Sequence, residues 1–83
     1  MNEPELKQTI LKMLKKVAPD SNPETLQPDD NIRQVLEMDS FDALQFIVAL
    51  DEHLGIEIPE EDYGKIDTLN KLIAYLKQNM QKG

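Results

Sequence analysis

The stretch Asp39-Ser40-Phe41-Asp42-Ala43-Leu44-Gln45-Phe46-Ile47-Val48-Ala49-Leu50-Asp51-Glu52-His53-Leu54-Gly55 follows a long polar approach punctuated by proline. Asp39 has the side chain wanted just outside a helix start, where a carboxylate accepts the free N–H groups of the first turn. Asp42, three residues on, completes a spacing like that of a capping box. The pattern predicts a helix from about Ser40 to Leu54, ended by Gly55. Ser40 then lies in the first turn, its hydroxyl facing water with a carboxylate on either side. Two apolar stripes follow from an advance of ~100° per residue. Ala43, Phe46, Ile47, Leu50 and Leu54 form the core stripe. Phe41, Leu44 and Val48 form a second stripe beside Gln45, Asp51 and Glu52, as a small docking strip in an acidic rim would. A wider core contact would produce the same spacing.

Outward from this helix the chain reads as helical throughout. Leu6, Ile10, Met13, Leu14 and Val17 repeat at helical offsets, with Asn2 and Glu5 spaced as a capping pair and Pro4 tolerable in a first turn. Pro19, Pro23 and Pro28, among Asp20, Ser21, Asn22, Asp29, Asp30 and Asn31, predict a long loop, pinned to the core by Leu26, Ile32, Val35 and Leu36. Ile56 and Ile58 are too short a pair for a strand and are expected to tuck inward from a loop. One helical turn is expected at about residues 60 to 64. A last helix carries Leu69, Leu72, Ile73, Leu76 and Met80, with Asp67 as its expected cap. The expected fold is all-α: a small four-helix bundle with three longer helices, one short helix and a long first loop, residues 1–83 forming a single domain.

Composition removes several classes of function. The chain has 83 residues, enough for one core and too few for a deep enclosed active site. It has no Cys, which removes disulfides and thiolate metal sites. Sixteen acids against 9 bases give a formal charge of −7, opposite in sign to a nucleic-acid footprint. No apolar run approaches the ~20 residues of a membrane span, and no basic leader precedes an apolar one, so a cytoplasmic setting is expected. Between Arg33 and Lys65 there is no Lys or Arg, while Glu37, Asp39, Asp42, Asp51, Glu52, Glu57, Glu60, Glu61 and Asp62 fall in that interval. This negative stretch would suit basic or neutral partners, and it would equally serve as a solvated face.

Catalytic constellations do not assemble. The single His, His53, lies thirteen residues beyond Ser40 on the same helix. At ~1.5 Å per residue that places it roughly 20 Å away, too far to act as its base. The acids lack a concave site in which two carboxyls could differ. Asp29, Asp30 and Asn31 lack calcium-loop spacing and its central Gly, and no Gly-rich phosphate loop is present. Neither a catalytic residue nor a metal site is expected. One presented serine on a small acidic scaffold remains.

From Ile32 to Leu76 the sequence resembles the acyl carrier proteins, whose serine after an aspartate carries 4′-phosphopantetheine. Leu36, then Asp39, Ser40 and Asp42, the run from Phe46 to Leu54, Ile58 with Pro59, Ile66 and Tyr75 all match that pattern, and the first helix and proline loop fit in length. The resemblance implies that Ser40 is the attachment site, with Asp39 as its motif neighbour. The arm would be added by a separate phosphopantetheinyl transferase that supplies the magnesium and base. It further implies a non-enzymatic, monomeric carrier that holds acyl groups as thioesters for partners of fatty acid, lipid or polyketide synthesis. Phe41, Asp42, Leu44, Val48, Asp51 and Glu52 would dock the basic patches of those partners. Three departures point to a specialised carrier: Glu37 stands where the family commonly has Gly, Phe41 where it has Leu, and Val35 replaces a frequent acid. The competing reading is a small acidic adaptor that docks basic proteins through the same helix with no prosthetic group.

Overall fold

The structure, a computed structural model, describes residues 2–81, except for the side chain of Gln81. Four α-helices appear in chain order: α1 (Glu3–Val17), α2 (Ile32–Val35), α3 (Ser40–Leu54) and α4 (Leu69–Gln81). Two 3-10 segments, Pro23–Thr25 and Glu60–Ile66, complete the architecture. The expected all-α bundle is therefore present, with Glu60–Ile66 as a longer version of the single turn anticipated there.

Local chemistry explains most boundaries. Asn2 and Glu5 form the complete capping box of α1, each accepting the other's backbone N–H. Asp39 Oδ1 accepts the Asp42 N–H at 2.8 Å to start α3, but the reciprocal bond from Asp42 does not form, so only half of that box exists. Gly55, at φ 67°, ends α3 in the left-handed conformation, and the Ile56 N–H reaches back to the Asp51 carbonyl at 3.1 Å. For α4 the cap is Thr68, whose Oγ1 accepts the Lys71 N–H at 3.1 Å. Asp67, expected in that role, is one residue too early and pairs with Lys71 Nζ at 3.3 Å instead.

The proline loop is more ordered than its composition predicts. Pro23 is buried and opens a 3-10 turn, while Lys15 Nζ and the Ser21 hydroxyl donate to nearby carbonyls. Its far end is latched to the start of α4: the Ile32 N–H donates to the Asp67 carbonyl, and the Asn70 N–H to the Pro28 carbonyl, each at 2.9 Å. Asn31 caps α2 through the Gln34 N–H. Leu26, Ile32 and Leu36 anchor the segment as expected, but Val35 is 42% exposed. Ile32 opens this four-residue helix and Leu36 caps it, both turned inward, and Val35 falls on the outer side.

One contiguous core joins these elements. Leu6, Ile10 and Leu14 of α1, Leu50 of α3, and Leu69, Leu72 and Leu76 of α4 are almost wholly excluded from water, with Phe46 and Ile47 close behind. Burying each such side chain is worth about 1.5–3 kcal/mol. Ile58 tucks inward as expected. Tyr75 Oη, on α4, donates to Asp62 Oδ2 at 2.6 Å, tying the second 3-10 segment to the bundle.

That last bond gives a pH signature. The hydrogen bond from Tyr75, then the one from Lys65, holds the Asp62 carboxyl below the usual carboxylate range. The same bond, with burial, pushes the Tyr75 phenol up to about 12. Stability from a depressed acid is present above its unfolded value of about 4 and is lost as pH falls through the folded one. Stability from a raised phenol is present below about 10 and is lost as pH rises through the folded value. Tyr75→Phe should therefore lower the melting temperature at pH 7, and the deficit against the wild type should shrink at both pH extremes. A deficit independent of pH in thermal melts would assign the loss to packing.

Candidate functional site

Between α2 and α3 the backbone makes a turn of the same kind as at Gly55, with a different residue in the critical place. The Leu36 N–H donates to the Ile32 carbonyl, and the Met38 N–H reaches back five residues to the Arg33 carbonyl at 2.9 Å. Such a reversal needs a left-handed residue between them, and that residue is Glu37, at φ 53°. It is the only positive-φ residue other than glycine among the described residues. The turn sends Met38 into the core, 6% exposed, and delivers Asp39 in the extended conformation that starts α3. The position at which the sequence departs from glycine is thus the one where the backbone asks for it.

Ser40 is the first residue of α3 and is exposed. Its first turn has the Asp42 N–H bound to the Asp39 side chain and the Ala43 N–H bound to the Asp39 carbonyl. The hydroxyl is not simply flanked by carboxylates: Arg33 Nη2 donates to Ser40 Oγ at 3.4 Å. Sequence reading missed this contact, because seven residues separate the two and only the turn at Glu37 brings them together. An open groove of about 830 Å³ adjoins them, with Met38, Phe46, Ile47, Ile66, Tyr63 and Glu60 among its lining residues.

The outer stripe of α3 lies where the helical wheel put it. Phe41 is 65% exposed, Leu44 46% and Val48 45%, so none of them belongs to the core. Glu52 is exposed beside them and Asp42 is half-buried. Asp51 differs from the other carboxylates expected on this face. It is half-buried, and Oδ1 accepts the Ile58 N–H at 3.3 Å, which fixes the loop after α3. Burial raises its carboxyl above the ordinary value against the lowering effect of that bond. His53 is exposed near the opposite end of α3 from Ser40. Among the described residues no group of three or more His, Cys, Asp or Glu could hold a metal ion, and no helix is long and apolar enough to cross a membrane.

Comparison with known proteins agrees with this geometry. The family model described as "Phosphopantetheine attachment site" matches residues 6–76. An acyl carrier protein of Thermosynechococcus vestitus is 30% identical over 74 residues, covering 86% of this chain and 91% of the relative. One of Helicobacter hepaticus is 35% identical over 54 residues, covering 65% and 71%. A putative mitochondrial acyl carrier protein of Schizosaccharomyces pombe is 28% identical over 76 residues, covering 92% and 68%. With a helical bundle, a family match over residues 6–76 and a 30% identical relative covered over 91% of its length, the chain belongs to the acyl carrier protein family, and its prosthetic group is a covalently attached 4′-phosphopantetheine.

Proposed function

We propose that residues 1–83 form a single carrier domain whose prosthetic group is attached through Ser40 Oγ, and that the domain presents acyl groups to separate enzymes of fatty acid, lipid or polyketide synthesis. The observation that carries this reading is the placement of Ser40. Its hydroxyl is exposed, stands at the first turn of a capped helix, and is accessible to a modifying enzyme without unfolding anything. The surroundings suit the group. A phosphodiester on Ser40 would meet the positive end of α3, and the Arg33 side chain already reaches that oxygen. The groove alongside has apolar walls in Met38, Phe46, Ile47 and Ile66, suited to shielding an alkyl chain. When bound, the group supplies the terminal thiol on which acyl cargo is held as a thioester. The chain's own residues only fix, orient and shield, and the chemistry belongs to its partners: a phosphopantetheinyl transferase first, then acyl-loading and acyl-processing enzymes.

The docking face we assign is Phe41, Leu44 and Val48 with the carboxylates of Asp42, Asp51 and Glu52. Its apolar members are exposed, and its acids lie in an interval free of Lys and Arg. Basic patches on a partner would be steered toward it. Asp51 serves the fold as well, through Ile58, so its replacement would confound docking with stability. A monomer in the cytoplasm is the setting we propose, although one relative is named as mitochondrial.

Coexpression with a broad-specificity phosphopantetheinyl transferase should raise the intact mass by one arm, and Ser40→Ala should stay unmodified while keeping its helical circular dichroism. An arm on Ser21, the chain's other serine, would overturn the assignment. For the docking face, Phe41→Ala should change stability by less than about 0.5 kcal/mol, the range for exposed positions, yet slow acyl loading. Glu52→Lys should slow loading by roughly twofold to fivefold at low salt, the equivalent of one surface charge pair. That deficit should close near 1 M salt, where the Debye length is only ~3 Å. Equal loading rates for both variants and the wild type would leave the stripe and its acids as ordinary surface.

A further inference from the structure

Arg33 is the sole arginine in a chain of net charge −7, and it begins the long interval without another cation. Such a side chain would be expected to find a carboxylate. The ion pairs among the described residues are nevertheless Lys65–Asp62, Lys71–Asp67 and Lys77–Glu3, and Arg33 takes part in none. Its natural partner on a continuous helix would be Glu37, four residues on, at the spacing that brings opposite charges together. The left-handed turn at Glu37 removes that residue from helical register. The guanidinium is left exposed, with Ser40 Oγ as its hydrogen-bond partner at 3.4 Å.

A neutral hydroxyl is a weak partner for a guanidinium, whose planar array of donors matches the oxygens of a carboxylate or phosphate. We propose that Arg33 is the counter-ion of the phosphodiester borne by Ser40, holding the base of the arm against α2. This inference rests on Ser40 being the attachment site. Arg33 acts here as a positioning residue. The phosphate would be bonded directly to the oxygen that Arg33 already contacts, so its free oxygens would be available to the guanidinium for charge-assisted hydrogen bonds. Two attractions would then act on one anion: the N-terminus of α3 and the guanidinium. The cation also offsets the repulsion that Asp39 and Asp42 would impose on a new negative charge in the same turn.

Both partners give single, unambiguous signals, because the chain has one arginine and the arm one phosphodiester. In the wild type, the guanidinium Nε–Hε resonance of Arg33 should shift when apo protein is converted to the modified form, and the shift should diminish at 1 M salt. The 31P resonance of modified Arg33→Gln should be displaced from that of the modified wild type. The inference is overturned by a guanidinium resonance that stays fixed while the Ser40 amide moves, or by superimposable 31P signals, and the attachment reading would survive either result. Failure of the wild type to gain mass at all would instead remove the attachment reading and this inference with it. Should Arg33→Gln resist modification, the wild-type guanidinium signal decides alone.

Discussion

The hydrogen bond from the Met38 N–H to the Arg33 carbonyl, closed over a left-handed Glu37, is the constraint on which the Ser40 end of the molecule depends. It terminates α2, turns Met38 into the core and sets Asp39 extended at the head of α3 in one reversal. The same reversal brings Arg33 within 3.4 Å of Ser40. A non-glycine residue in this conformation costs roughly 1–2 kcal/mol. The buried Met38 and the capped helix beyond it over-determine the backbone, the condition under which local strain persists.

Much of this was legible in the sequence, and the reason is that the long helices carry redundant signals. For α1 a complete capping box precedes four buried residues in phase, and for α3 an Asp cap and a Gly stop bracket two stripes whose burial matches the wheel. The place of the serine in the first turn was readable because the Asp39 cap fixes it. What stayed hidden was local in a different way. A four-residue helix such as α2 contains barely one turn, so no periodicity can reveal it, and neither the exposure of Val35 nor the contact of Arg33 with Ser40 follows from spacing. Asp67 and Thr68 are both good caps, and the choice between them was settled by the latch that fixes the Asp67 carbonyl to Ile32.

The electrostatic organisation divides the acids into those that hold the fold and those left for solvent or partners. Asp39 holds a helix start, Asp51 holds the loop at Ile58, and Asp62 holds Tyr75 and Lys65. Glu52, Glu57 and Glu61 are exposed, with neither a hydrogen bond nor an ion pair among the described contacts. Composition alone could not make that distinction, because a carboxylate given to a backbone N–H and one given to water look identical in a charge count.

The bond between Tyr75 and Asp62 also makes the groove observable by light. The chain contains no Trp and two Tyr, so nothing stronger masks the phenols. A phenol donating at 2.6 Å to a carboxylate differs in near-ultraviolet absorption and emission from one bonded to water. Asp62 belongs to the same 3-10 segment that supplies Tyr63 and Ile66 to the groove wall. Displacement of that wall by a bulky occupant would disturb the donor–acceptor pair and change the signal. Both phenols of the chain thereby report, with no label attached, on the segment that walls the groove.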